Sequence, residues 1–428
     1  MTDEPGADRT VLGEDVLERL DRDLAAADAA LAADYPGPQD AAQPVHTVYL
    51  PAGRYRPGVA VEWGQRALDA LRQNAPGVDD LAEAVRLPAE RVAAVWELVL
   101  RKLTTSPIED LRIDFEDGYG RPGDEIEDAD AERAGRELAT DWRDGTAPAW
   151  AGIRFASLEA PTRRRGLRTV DLFLSALLDA AGQVPPGLRL TLPKVTSVDQ
   201  VAAMVTVCRE LERAHGLPDG ALRFEVQIET PQAILASDGT ATVARLIHAA
   251  DRRCCGLHYG TYDYSASLGI AAFQQRMDHP AADHAKSVMQ VAAAGTGVPL
   301  SDGSTNILPV GTPDQVRAGW ALHARLVRRS LDRGFYQGWD LHPAQLVSRY
   351  LATYDFYRSG APTAGERVEA YLAKRAGGVL DEPATGAALA DFLLRGLRCG
   401  ALDRTEVMAT CGATPETLQA LAQREVAS

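Results

Sequence analysis

Short apolar segments recur along the chain at intervals of roughly 30 to 45 residues, and segments with helical spacing stand between them. Most of the apolar segments are continuous runs, as expected for β-strands that are covered on both faces. The predicted strands are residues 46–51, 111–115, 152–155, 188–193, 223–228, 254–259, 297–300 and 335–341, and the clearest helices are 170–181, 198–215, 241–250 and 314–333. This alternation predicts an α/β protein built as a (β/α)8 TIM barrel.

Helical patterns also occupy both ends of the chain. Residues from about 11 to 34 are rich in Leu and Ala and end before Pro36. The long first interval between strands predicts an extra helix over 79–101, and the region 345–428 reads as helices broken at 360–362, 377–378 and Gly412. The pattern predicts three parts: an N-terminal helical segment (1–45), a barrel (46–345) and a C-terminal helical extension (346–428).

Charge narrows the range of partners. The 428 residues include 60 acidic residues against 45 Lys and Arg, which gives a formal net charge of −15. Such a surface argues against a nucleic acid or an anionic membrane as the main partner. A local basic pocket is compatible with this balance, so small acidic molecules remain candidate substrates.

Cysteine usage and the N-terminus indicate the compartment. The five cysteines are odd in number, two of them are adjacent (Cys254 and Cys255), and they fit neither a disulfide framework nor a zinc-ligand spacing. The first residues lack the basic and apolar regions of a signal peptide, and no apolar run is long enough to span a bilayer. We expect reduced thiols and a cytoplasmic protein.

Two acidic residues stand where strand patterns give way to loops. Glu229 follows the fifth predicted strand, and Asp263 follows the sixth, 34 residues further on. This separation is about the length of one strand–helix–strand unit, which predicts the same end of neighbouring strands and a spacing of roughly 5 Å. Two carboxylates so placed, with waters and a substrate completing an octahedron, suit Mg²⁺. The alternative is that one acid caps a helix and the other closes a turn.

Polar residues follow the other predicted strands as well. If the barrel closes, they meet at its C-terminal rim, where active sites of this fold are built. At or just beyond the strand ends they are Asp114, Glu116 and Asp117 for strand two, Arg154 for strand three, Lys194 for strand four, 301–304 for strand seven, and Asp340 and His342 for strand eight. A cation at this rim would chelate an α-keto acid or its enolate, while Arg154 and Lys194 neutralise the remaining charge.

Six segments resemble, in order along the chain, motifs of the HpcH/HpaI aldolase, citrate lyase β-subunit and malate synthase superfamily. They are Ile113-Asp114-Phe115-Glu116-Asp117, Gly152-Ile153-Arg154-Phe155, Leu192-Pro193-Lys194-Val195, Ile228-Glu229-Thr230, Gly260-Thr261-Tyr262-Asp263-Tyr264 and His342-Pro343. The resemblance covers about residues 46–345. Each motif is weak singly, whereas six in order at barrel spacing are specific.

This resemblance implies a barrel of the phosphoenolpyruvate/pyruvate type, with Glu229 and Asp263 as Mg²⁺ ligands. It further implies that Arg154 binds the carboxylate or keto group of the substrate, and that the acids of strand two, Glu116 and Asp117, orient the substrate or lie behind it. The segment 49–54 resembles the family's first-strand loop, in which Arg54, or Arg56 instead, is the basic residue on the substrate side.

Some roles stay open at the level of sequence. His342 is either a catalytic proton shuttle or a histidine held by the backbone. Relatives can draw the general base from a C-terminal Asp, so residues 381, 391 and 403 are candidates, besides a metal-bound water or His342. The arginines 163–165 form either a solvated face or a rim that binds phosphate or CoA.

The sequence predicts a Mg²⁺-dependent carbon–carbon lyase or aldolase, or its condensing reverse. The expected substrate is a keto or hydroxy carboxylate, with a CoA thioester as an open alternative. Phe155-Ala156-Ser157 stands where malate synthases carry Arg-Gly-Trp, so the reaction itself stays open. The alternatives are an acyl-CoA transferase or thioesterase of malate-synthase type and a non-catalytic metal-binding barrel. A homo-oligomer is expected, because the C-terminal extension can pack on the rim of its own barrel or on that of a neighbour.

Overall fold

The computed structural model describes residues 11–37, 42–373 and 382–423, so the predicted break at 377–378 and the candidate base at 381 lie outside the described residues. The strands are β1 (Thr47–Pro51), β2 (Asp110–Asp114), β3 (Trp150–Arg154), β4 (Leu188–Leu192), β5 (Phe224–Ile228), β6 (Cys254–Tyr259), β7 (Leu300–Ser301) and β8 (Trp339–Asp340). The helices are α1 (Glu14–Asp34), α2 (Val59–Asn74), α3 (Val78–Val85), α4 (Ala89–Thr105), α5 (Asp124–Asp144), α6 (Arg163–Ala181), α7 (Val198–His215), α8 (Pro231–Ile234), α9 (Thr242–Ala249), α10 (Thr261–Ser267), α11 (Pro280–Ala293), α12 (Pro313–Asp332), α13 (Gln345–Leu372), α14 (Pro383–Arg398), α15 (Arg404–Cys411) and α16 (Pro415–Ala422).

The eight strands form one parallel sheet in the order β7-β6-β5-β4-β3-β2-β1-β8. A parallel bridge between Ser301 and Gln337 joins the two ends of this sheet, so the strands enclose a barrel. The predicted TIM barrel is therefore confirmed. The structure differs in detail: β7 lies at Leu300–Ser301, whereas the pattern predicted 297–300, and three helices (α2, α3 and α4) occupy the long first interval, in which one was predicted.

The interior of the barrel is polar. Arg112 of β2 contacts Thr191 of β4 and Glu225 of β5 at 2.9 and 2.5 Å, which is possible only across the lumen because these strands are not neighbours of β2. Tyr49 of β1 accepts a hydrogen bond from Gln227 of β5 at 3.1 Å, which spans the full width of the barrel. The strands are buried on both faces as predicted, but their inward-facing side chains are charged or polar.

The N-terminal helix α1 stands apart from the rest of the chain. None of its residues is buried. Beyond its end, the Gly37 amide donates a hydrogen bond to the Gly295 carbonyl at 2.8 Å, which ties the following segment to the end of α11. The five cysteines are free thiols, as predicted. Among the described residues, no helix combines the length and apolar character that crossing a membrane requires.

The C-terminal extension packs at the N-terminal end of the barrel, opposite the rim on which the polar motifs lie. Arg395 of α14 donates to Gln43, just before β1, at 3.0 Å and stacks over Tyr336, just before β8, at 4.3 Å. The first half of α13 shares the apolar core of the barrel, and its second half joins α14–α16 around a separate core.

The predicted break at 360–362 is wrong, because α13 continues through Pro362. Burial of Ala361 and Ala364 in the separate core favours a continuous helix there. The predicted end at Gly412 agrees with the end of α15. The three-part division of the chain at residues 45 and 345 stays a proposal.

Candidate active site

The C-terminal ends of β2, β4, β5 and β6 meet around the side chain of Lys194. Its ammonium lies 2.6 Å from Glu116, 3.0 Å from Asp117 and 3.2 Å from Asp263. Its backbone amide donates to Oε1 of Glu229 at 2.8 Å. Residues from four separate strand ends thus form one acidic cluster at the rim, and a single lysine contacts both predicted cation ligands.

Glu229 is the most enclosed carboxylate of this cluster, with 1% of its surface exposed. Its Oε1 accepts the amide hydrogen bond of Lys194, and within the described part of the chain Oε2 accepts none. The backbone of Gly260 packs closely against this side chain, because a Cβ atom added to Gly260 would lie only 2.5 Å from Oε2 of Glu229. The next residue, Thr230, fixes the loop by donating to the Val195 carbonyl at 2.5 Å. The fold therefore presents one fixed, buried and half-satisfied carboxylate.

The charge state of Glu229 depends strongly on what lies beside it. Burial, together with Asp263 and Glu116, raises the pKa of this carboxyl to about 8, although Lys194 opposes the shift. Without an added positive charge, Glu229 therefore holds a proton at neutral pH. A divalent cation beside Oε2 would stabilise the carboxylate and displace that proton.

This raised pKa predicts how the stability of the cation-free protein changes with pH. The unfolded chain loses the Glu229 proton near pH 4.3, whereas the folded protein keeps it up to about pH 8. Between these values the folded state binds more protons, so the free energy of unfolding falls as the pH rises. In EDTA, urea titrations should show that the free energy of unfolding falls between pH 6 and pH 9 by about 2 to 3 kcal/mol more in the wild type than in Glu229→Gln. An equal pH dependence in both proteins would mean that Glu229 is already ionised at neutral pH.

Arg154 is held rigidly next to this cluster. Its Nε and Nη2 donate to the two oxygens of Asp114 at 2.7 and 2.8 Å, and its Nη1 lies 3.2 Å from Glu116. The guanidinium stacks over the ring of Tyr49 at 4.7 Å. Burial alone would lower the pKa of Arg154, but Asp114 and Glu116 raise it, so the side chain stays protonated. Because three of its five N–H groups serve these contacts, two remain for a ligand.

The donors at the rim fit a hard divalent cation. Five carboxylates (Asp114, Glu116, Asp117, Glu229 and Asp263) face two cationic side chains (Arg154 and Lys194). Full ionisation would leave an excess of three negative charges at one rim. Oxygen donors of this kind are the ligands that Mg²⁺ prefers. Among the described residues, no group of three or more His, Cys, Asp and Glu is placed to hold a metal ion by itself.

The remaining predicted site residues lie at the same rim with looser contacts. Arg54 follows β1 with an exposed side chain, and its neighbour Arg56 pairs with Glu62 on α2. His342 is half-buried, and its Nδ1 accepts a hydrogen bond from the Ala344 amide at 3.2 Å. Burial, with a contribution from Arg66, lowers the pKa of His342. A neutral ring whose Nδ1 accepts carries its proton on Nε2, which makes His342 a donor in this arrangement.

Two acids that the sequence placed at the rim do not belong to the cluster. Asp340 is fully buried against the outer helices, where it bonds His46 at 2.7 Å and Arg349 at 2.9 Å. Asp302 pairs with Lys286 of α11 at 2.9 Å. Asp340 is the last residue of β8 and Asp302 directly follows β7, and both side chains lie on the outer side of the barrel. The expectation that every strand-end acid converges is wrong for these two.

The candidate bases on the extension lie elsewhere. Asp391 pairs with Arg395 at 2.7 Å, at the far end of the barrel from Glu229. Asp403 caps α15 by accepting from the Glu406 amide at 2.8 Å. Neither is placed to act on a substrate at the rim of its own chain. Asp114, by contrast, was predicted to lie at the rim but was given no role, although the alternation of charge in Asp110-Leu111-Arg112-Ile113-Asp114 was a signal for one.

A family model described as a domain of unknown function, DUF6986, matches residues 24–426. An L-malyl-CoA/beta-methylmalyl-CoA lyase of Haloarcula marismortui is 31% identical over 118 residues, which are 27% of this chain and 31% of that enzyme, so the match spans about a third of the length of the relative.

Solved structures give a weaker likeness. Haloferax volcanii malate synthase is 15% identical, with a TM-score of 0.49 over 91% of this chain and 96% of that one. A citrate lyase β subunit from M. tuberculosis, complexed with oxaloacetate and magnesium, is 17% identical, with a TM-score of 0.41 over 73% and 97%. The lyase that matches over 118 residues bears a name of the superfamily that the six motifs resemble, in agreement with that prediction.

Proposed function

The chain belongs to the DUF6986 family, and we propose that it is a divalent-cation-dependent carbon–carbon lyase or aldolase, or its condensing reverse, that acts on a keto or hydroxy carboxylate. The observation that carries this proposal is the buried Glu229, whose Oε2 is unpaired among the described residues and lies in the same rim cluster as Asp263. A carboxylate so enclosed is costly unless a positive charge stabilises it.

Glu229 and Asp263 would hold Mg²⁺, with water and substrate oxygens as its other ligands. When bound, such an ion polarises the substrate's keto oxygen and stabilises the enolate oxygen that forms as the carbon–carbon bond breaks. The carboxylate of Glu229 is fixed before the ion arrives, because the Lys194 amide and the close backbone at Gly260 hold it. This preorganisation limits the rearrangement that binding requires.

Arg154 would bind the substrate's carboxylate or keto oxygen. Asp114 aligns its guanidinium through two hydrogen bonds, and its two remaining N–H groups are the donors for the substrate. The side chain is 5% exposed, so water competes little for these donors. A fixed positive charge in this position stabilises the negative charge that develops on oxygen during cleavage.

Substrate-side roles for Lys194, Glu116, Asp117 and Arg54 are part of this proposal. Glu116 bridges Arg154 and Lys194, at 3.2 and 2.6 Å, so it aligns the two cations relative to each other. His342 as a catalytic proton shuttle stays a prediction, and its present hydrogen bond favours a donor role through Nε2. We also keep a homo-oligomer and a cytoplasmic location as proposals.

The test is a screen of 4-hydroxy-2-keto acids and hydroxyacyl-CoA thioesters for Mg²⁺-dependent release of a keto acid or an aldehyde. CoA thioesters are included because the partly matching lyase acts, by its name, on malyl-CoA. Condensation of acetyl-CoA with glyoxylate, measured by thiol release, separates the malate-synthase-type alternative. We expect turnover of one class that stops in excess EDTA, whereas full turnover in EDTA would refute the cation mechanism. If neither keto acids nor acyl-CoA raise the melting temperature in Mg²⁺, the barrel is non-catalytic.

A further inference from the structure

The side chain of Lys194 occupies the middle of the acidic cluster. Its ammonium has three N–H groups, and three carboxylates lie within 3.2 Å of it: those of Glu116, Asp117 and Asp263. The side chain is 22% exposed. Burial alone would lower the pKa of Lys194, but Glu229 and Glu116 raise it, so the group stays charged. The cluster thus already contains a cation of its own.

The backbone of Lys194 is held in an unusual conformation. Its φ of 49° lies in the left-handed region, which residues other than glycine seldom adopt. The amide of the same residue donates to Glu229 at 2.8 Å. Such conformations persist where surrounding contacts hold them, and they concentrate at functional sites. Lys194 therefore contacts one proposed cation ligand through its backbone and the other through its side chain.

We propose that the Lys194 ammonium and the divalent cation are alternative occupants of this carboxylate cluster, so that cation binding releases the ammonium toward the substrate. The inference rests on the proposed function only for the identity of the two cation ligands. Oδ2 of Asp263 lies 3.2 Å from the ammonium, so a divalent cation bound to this oxygen would stand next to another positive charge, and the two charges would repel each other. The four-carbon stem of lysine lets the ammonium move while the backbone stays in place.

This exchange imposes an order of binding. Before the cation arrives, Asp117 and Asp263 neutralise Lys194, and a substrate carboxylate gains little from it. After the cation has taken Asp263, the ammonium keeps only part of its contacts and becomes a donor for the substrate. The cation therefore increases substrate affinity in two ways, by direct chelation and by release of Lys194.

The test measures Mn²⁺ binding by electron paramagnetic resonance on the EDTA-treated full-length protein without substrate. Lys194→Met removes the ammonium and keeps an unbranched stem, whereas Lys194→Arg keeps the positive charge. Arg164→Met is the matched control, because it makes the same change in net charge at the exposed start of α6. We expect Lys194→Met to bind Mn²⁺ about tenfold more tightly than the wild type, Lys194→Arg no more tightly, and Arg164→Met within about twofold.

A second measurement follows pyruvate binding to the Mn²⁺-loaded proteins by calorimetry. Lys194→Met should bind pyruvate about tenfold more weakly than the wild type, although it binds the ion more tightly. Equal or weaker Mn²⁺ binding by Lys194→Met, with normal binding by the wild type, overturns the exchange and leaves the proposed cation site intact. Failure of every protein to bind millimolar Mn²⁺ refutes the cation site and the exchange together. If Arg164→Met changes Mn²⁺ binding as much as Lys194→Met does, the change in net charge explains the result, and the exchange is overturned.

Discussion

Replacing Glu229 by Gln should lower cation-dependent turnover by about a thousandfold or more, and Asp263→Asn should have a similar effect. The amide that replaces the Glu229 carboxylate keeps the shape and the hydrogen bond from Lys194, but it loses the negative charge that holds the ion. Since the proposed site has two protein ligands, loss of either would leave one carboxylate and water. Steady-state assays over a Mg²⁺ titration, with the substrate that the screen identifies, measure the effect.

A matched control separates ligand loss from a general change of charge at the rim. Asp117→Asn removes one carboxylate that also contacts Lys194, but Asp117 is not a proposed ligand and its side chain is 55% exposed. We expect less than about a tenfold loss for this variant, because exposed ion pairs contribute little. The ligand assignment is wrong if Asp117→Asn is as impaired as Glu229→Gln, or if Glu229→Gln keeps full turnover.

The folded state of these variants is itself informative. Glu229→Gln should be at least as stable as the wild type in EDTA. Burying a neutral amide costs less free energy than burying a carboxyl group, which must either stay protonated or lose its hydration as an anion. Melting curves with and without Mg²⁺ then serve as the check. Stabilisation by Mg²⁺ is expected in the wild type and should be absent from the variant.

The position of the acidic pair was predictable because a parallel barrel repeats regularly. Glu229 directly follows β5, Asp263 lies in the first turn of α10 just after β6, and one strand–helix–strand unit separates them, so the spacing alone placed them at one rim. That Lys194 contacts both was not predictable. Its contact with Glu229 uses the backbone amide and a left-handed φ, neither of which leaves a mark in the sequence.

Where the sequence failed, the direction of a side chain or the packing of a helix decided the outcome. Asp340 ends a strand of two residues and Asp302 follows another, and such strands are too short to show on which face a side chain lies; both side chains point outward. Pro362 was taken as a helix break because proline removes a backbone donor, but burial of the neighbouring turns keeps α13 continuous. Nothing in the local pattern reports such tertiary contacts.

The charged interior of the barrel gives the second large effect. Arg112→Met should destabilise the protein by about 3 to 5 kcal/mol, because it leaves Glu225 and Asp110 buried without their cation. Arg112 is fully buried and bonds both acids, with Glu225 at 2.5 Å. Burial alone would raise the pKa of Glu225, but Arg112 and His258 keep it below its ordinary value. Urea unfolding followed by circular dichroism measures the loss, which for 428 residues corresponds to a melting temperature lower by roughly 3 to 6 °C.

Two further variants identify the cause of this loss. Arg209→Met breaks a surface pair with Asp251 whose side chains are both more than half exposed, and it should cost less than about 1 kcal/mol. In the double variant Arg112→Met, Glu225→Gln, much of the stability should return, because removing a buried pair costs far less than leaving one partner alone. If the double variant is no more stable than Arg112→Met, packing rather than charge holds the lumen together. If the double variant recovers stability and still binds Mn²⁺, the charged residues inside the barrel stabilise the fold independently of the acidic cluster at the rim.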